Sequence, residues 1–89
     1  MGPMREVVAE RLCLLYDPNT GDIRHLHSVT TLLGGRTLTD AEMEARTREL
    51  AAARSAELAA LPLLHVDPAS WRSGARYRVA PASRTLVER

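Results

Sequence analysis

The residues of this chain whose types could do chemistry are three histidines, one cysteine and an aspartate set two places from a histidine. His25-Leu26-His27 and His65-Val66-Asp67 each place two potential ligands at alternate positions. Alternate residues of an extended strand point the same way, so each pair shares one face. If the two strands lay side by side, His25, His27, His65 and Asp67 would converge as a nitrogen and oxygen set suited to zinc or another borderline divalent metal. That expectation depends on strand adjacency, which spacing does not set. The competing expectation is local: His25 and His27 hydrogen-bond at a sheet edge, and Asp67 caps the turn at Pro68.

Catalytic chemistry finds less support. Cys13 sits in the apolar run Leu12-Cys13-Leu14-Leu15, where a thiol behaves as a small hydrophobe. A thiol–imidazole pair with His25 or His27 across a hairpin has no evident third residue to orient the ring. The serines lack a nucleophile-elbow context. Gly34-Gly35-Arg36 precedes a helix without the Lys-Ser/Thr of a phosphate loop. The sequence therefore points away from an enzyme.

A different surface comes from the arginines. The tail from Trp71 to Arg89 carries five of them against Glu88 alone. If Arg76 and Arg78 share a sheet face with Arg24, a basic stripe forms beside Trp71. Such a stripe suits an acidic protein or peptide, or the phosphates of a nucleic acid. Few aromatics are available to stack on bases, which argues against nucleic acid. The bland expectation for Arg24, Arg76 and Arg78 is a solvated outer face that discourages edge aggregation. For Trp71 it is a filler closing one end of the sheet.

The elements that must position these residues follow from capping, turn chemistry and periodicity. Thr39-Asp40-Ala41-Glu42 is a capping box, with Leu38 and Met43 placed as a hydrophobic staple. Glu42–Arg46 and Glu44–Arg48 are helix-spaced ion pairs. The composition favours a single helix from Thr39 to Leu61, stopped by Pro62. Met43, Leu50, Leu58 and Leu61 form one apolar stripe, with Thr47, Ala51 and Arg54 filling its gaps, and this side should meet a sheet. Ala41, Ala45, Ala52, Ala56 and Ala59 form a smooth second stripe, which serves helix propensity or the close approach of another helix.

Before the helix, Arg5 to Tyr16 and Asp22 to Thr31 read as strands joined by a turn at Asp17-Pro18-Asn19-Thr20-Gly21, where Gly21 supplies positive φ. The first strand is apolar on both faces, as interior strands are. In the second, the face bearing Ile23, His25, His27, Val29 and Thr31 is drier and should look toward the helix. After it come short strands at Leu63 to Asp67, Arg76 to Ala80 and Arg84 to Glu88. The predicted fold class is α+β: a mostly antiparallel sheet of four to five strands in the order ββαβββ, with one long helix packed on one face. The other face is expected to be open to solvent or buried in a dimer. Residues 1–4 read as a tag remnant or disordered start, and 5–89 as one domain.

Composition narrows the function classes. All twelve basic residues are arginine, against eleven acidic ones, a pattern of GC-rich, bacterial coding. The formal net charge of +1 gives no global steering toward nucleic acid or membrane. A lone cysteine permits no disulfide within the chain and reads as cytoplasmic. No apolar run approaches the roughly 20 residues of a bilayer span. The core must be built from Leu, Val and Ala, because Phe is absent and there is one Trp, so stability is thin and a partner subunit would help. The expectation is a small non-enzymatic interaction or accessory module, binding a protein or peptide partner as a homodimer. Metal binding through the histidine pairs and nucleic-acid binding through the arginine face are the alternatives.

Overall fold

The structure, a computed structural model, describes residues 7–89. The expected ragged start at 1–4 and the first two residues of the first strand as predicted lie outside the described residues. Asp17 starts the first reversal. Its Oδ1 accepts from the Asn19 N–H at 2.7 Å, and its carbonyl accepts from the Gly21 N–H at 2.8 Å. Gly21 adopts φ +81°, as its place in the turn requires. This turn folds β1 (Val7–Tyr16) against β2 (Ile23–Leu32).

The fold is α+β, with five strands in antiparallel sheets of three and two, one long helix and one short one. The first sheet has the order β2-β1-β3, where β3 is Leu63–Val66. The second is a hairpin of β4 (Tyr77–Ala80) and β5 (Thr85–Glu88). The expected single sheet is thus divided, and the hairpin covers the face predicted to be open or dimeric over β1 and β3, leaving Leu26, Ser28 and Thr30 of β2 exposed. Leu14, Tyr16, Val66 and Val79 form a buried cluster between the two sheets. Cys13, Leu15, Met43, Ala51, Leu58 and Leu63 form the other cluster, under the helices. β1 is apolar on both faces because it runs through the middle of these layers. Gly21 pins the hairpin in place: its carbonyl accepts from the Val79 N–H at 2.9 Å.

The helix differs from expectation. α1 spans Asp40–Ala52 and α2 only Ala56–Ala59. The capping box forms as predicted, with both of its hydrogen bonds present, and Leu38 packs on the cluster that contains Met43. The break falls at Ser55, whose backbone is extended and whose hydroxyl accepts from the Glu57 N–H at 3.1 Å. A serine that can cap competes with continuation of the helix. Arg48 then holds the turned-back piece, donating to the carbonyls of Ala59 and Leu61 at 2.7 and 2.8 Å. The break lets Leu58 reach the core, where it is 8% exposed. The predicted pairs Glu42–Arg46 and Glu44–Arg48 give way to other partners. Glu42 takes both guanidinium nitrogens of Arg36, which pull its carboxyl down to about 2. Arg46 instead pairs with Glu49 at 3.1 Å.

Candidate functional site

The two histidine pairs do not become neighbours. β1 lies between β2 and β3, so His25 and His27 are separated from His65 by a whole strand. Asp67 turns away to cap the 3₁₀ turn at Pro68–Ser70, accepting from the Ala69 N–H at 3.0 Å. Among the described residues, no group of three or more His, Cys, Asp or Glu side chains could hold a metal ion. The condition for the zinc set His25, His27, His65 and Asp67 is therefore unmet.

The arginine stripe also loses its premise. Arg24 belongs to the first sheet and Arg78 to the second, while Arg76 precedes β4. Arg24 lies at a pocket shared with Ser55 and Glu57 of the helical layer. Arg76 and Arg78 are exposed, and Val79, between Arg78 and the turn, points into the core. Trp71 is half-buried: its ring lies 4.5 Å from that of Tyr77, tilted 31°, and it packs on the cluster between the sheets. It closes one end of that layer.

A contact the sequence did not reveal joins β1, β3 and α1. Cys13 and His65 are opposite each other in the ladder, and Cys13 Sγ lies 3.2 Å from His65 Nδ1. Glu44 Oε1 stands 3.5 Å from the ring's other nitrogen. Thiol, imidazole and carboxylate thus follow in the order used by thiol hydrolases. The environment opposes that use. Cys13 has no exposed surface, and burial pushes its thiol up from the ordinary value. A neutral, inaccessible thiol paired with the imidazole laces the strands together. Cys13 is accordingly expected to resist a water-soluble thiol reagent in native protein and to react in urea. Stoichiometric labelling within seconds under native conditions would contradict this placement.

The feature with binding geometry is the outer edge of β2. Along an antiparallel strand, the N–H and C=O of each residue point to the same neighbour, and the direction alternates from one residue to the next. The Tyr16 N–H donates to Pro62 just before β3 at 3.1 Å, so Leu12 and Leu14 also turn toward β3. Cys13 and Leu15 then bond to their β2 partners, His27 and His25. It follows that Leu26, Ser28 and Thr30 direct their backbone groups away from the sheet. Arg24 bears this out: its carbonyl faces outward and meets the Arg54 guanidinium at 3.5 Å.

The two edges of the sheet are treated differently. β3 exposes four residues, and its outward Leu63 carbonyl accepts from Arg84 at 2.8 Å. β2 presents ten residues with no Pro or Lys; its guards, Arg24 and the bulge there, lie at one end and leave Leu26 to Thr30 unguarded. Among the described residues, the exposed large hydrophobic side chains are Leu26, on this strand, and Leu33, just past its end.

Beside the edge, on the helical face, runs a groove of about 470 Å³ between His27, Val29, Leu38 and the Glu42–Ala45–Arg46–Glu49 side of α1. His25 Nδ1 lies 3.1 Å from Arg54 Nη1. A guanidinium can only donate, so the neutral ring carries its proton on Nε2. The Nε2 atoms of His25 and His27 are buried without a partner. Burial first, then Arg54 and His27 for His25 and Arg46 for His27, hold both rings below the usual histidine range. Both are neutral at pH 7.

No protein-family model, curated protein or solved structure matches the chain.

Proposed function

We propose that this chain is a small non-enzymatic interaction module, working as a homodimer or an accessory subunit, that takes up a strand of a protein partner along the free edge of β2. The observation that carries this reading is the outward, unpaired backbone of Leu26, Ser28 and Thr30 on a ten-residue edge strand. Such backbone groups supply affinity in strand addition, while side-chain pockets beside them supply specificity. The groove along His27 and Val29 is such a pocket. The buried, neutral thiol of Cys13 supports a role without catalysis. The lone cysteine supports a cytoplasmic setting, and no helix among the described residues is long and apolar enough to cross a membrane.

Proline substitution separates binding from folding. Ser28→Pro removes an outward N–H and fits an edge position, so the fold should keep its stability to within about 1 kcal/mol. Val29→Pro removes a bond to β1 and should unfold the sheet, at a cost of about 3 kcal/mol or more. In sedimentation velocity from micromolar to hundreds of micromolar, the wild type is expected to run larger than its 9.8 kDa chain in a concentration-dependent way. Ser28→Pro is expected to run as a folded monomer. An assembly indifferent to Ser28→Pro would overturn the reading.

A further inference from the structure

We infer that the strand added to β2 is the β2 of a second copy, paired antiparallel about a two-fold axis through Ser28. This inference rests on the strand-addition reading above and names its partner. At one end of β2, the Arg24 carbonyl is taken by Arg54. At the other, the Leu32 carbonyl accepts from the Gly35 N–H at 2.8 Å. The free set is therefore Leu26, Ser28 and Thr30, and it is centred on Ser28, with Arg24 and Leu32 equally far on either side.

A two-fold normal to the sheet keeps each face on its own side, so only residues of like parity can stand opposite one another. Of the registers this allows, one satisfies every free group. Ser28 exchanges both of its bonds with the second copy's Ser28, and Leu26 exchanges both of its own with the second copy's Thr30. Any shift along the strand leaves a free pair unmatched at each end, or sets it against a group already used. An isologous contact has this property: the same patch serves both partners.

The face toward the helices agrees. The register sets His27 opposite the second copy's Val29, covering a ring whose Nε2 is buried without a partner. It also brings the two grooves together across the axis. Each groove is bounded by α1 in the order Glu42, Arg46, Glu49. In that row Ala45 offers little bulk against the second copy. The assembly doubles the three-stranded sheet into one continuous sheet and sets the second copy's Thr30 beside Leu26, which is 40% exposed in the single chain.

Cysteine cross-linking tests the register in the intact chain. Opposite residues of a hydrogen-bonded antiparallel pair have Cα atoms about 5.5 Å apart, inside the roughly 4.4–6.8 Å that a disulfide spans. Ser28→Cys is therefore expected to give mostly disulfide-linked dimer under mild oxidation, reversed by reductant. Leu26→Cys would stand about 13 Å from its own copy along the strand, and should give little or none. The native Cys13 is buried and serves as the internal control. Cross-linking of Leu26→Cys equal to or above that of Ser28→Cys, with Ser28→Pro still monomeric, overturns this register while leaving strand addition standing. A wild type that stays monomeric at hundreds of micromolar, with neither variant cross-linking, overturns the second copy as the partner. A dimer that survives Ser28→Pro overturns both readings.

Discussion

Gly21→Ala is expected to destabilise the fold by about 4 kcal/mol or more, a large part of the roughly 5–15 kcal/mol that holds a domain together. A Cβ at this position would lie 1.9 Å from the Val79 carbonyl oxygen, a backbone atom that cannot rotate aside. Gly21 also sits at φ +81°, where an alanine is strained by itself. Relief would require the turn and β4 to separate, breaking the Val79 N–H to Gly21 carbonyl bond and opening the layer that contains Leu14 and Tyr16. Gly34 provides the comparison. It has φ +87° but nothing within 4 Å of a built Cβ, so Gly34→Ala should show strain alone, about 1–2 kcal/mol. Urea unfolding followed by circular dichroism measures both. Equal midpoints for the two variants would mean that the hairpin does not dock through Gly21.

Leu14→Ala is expected to cost about 2–5 kcal/mol, the range for emptying a packed aliphatic site. Leu14 is fully buried on the central strand, with Val66 and Val79 in the same cluster. The expected result is a lower urea midpoint and a protein part-unfolded at modest temperature. Leu26→Ala is the contrast: at 40% exposure it should change the stability of the single chain by less than about 0.5 kcal/mol. Its effect should appear in assembly instead. A small loss for Leu14→Ala would mean that the hairpin does not seal the second face.

Much of the local structure was legible in the chain because it is encoded within a few residues. Thr39 and Glu42 announce a helix start through their own hydrogen bonds, and Asp17 to Gly21 announce a reversal through an aspartate cap and a glycine. The two-faced apolar pattern of β1 correctly marked it as interior. What the sequence could not supply was pairing between distant segments. Nothing in Leu63 to Val66 states that it joins β1 on the side away from β2, and that choice both separates the histidine pairs and brings His65 to Cys13. Glu44 and Arg48 looked like a helix-surface pair, yet each serves a tertiary contact, one beside His65 and the other on the carbonyls that end α2. The helix break at Ser55 had a local signal, a serine two places before an acidic residue. It was outweighed by the alanine-rich context, because propensity does not record that Leu58 must turn back to reach the core.

The free edge has a similar standing. The sequence marks the residues of β2, but which of their backbone groups face outward depends on the Tyr16 to Pro62 bond and on the extra residue, Arg24, in the register between Leu15 and Tyr16.

The most direct test of that edge is amide hydrogen exchange across β2, measured by NMR at several protein concentrations. In the single chain, the amides of Leu26, Ser28 and Thr30 should exchange near the rate of free peptide, while those of His27 and Val29 stay protected by β1. As concentration rises and chains associate, Leu26, Ser28 and Thr30 should gain protection together. If the alternating pattern is absent, or if these three amides remain unprotected in an associated state, β2 is not the surface through which this protein binds.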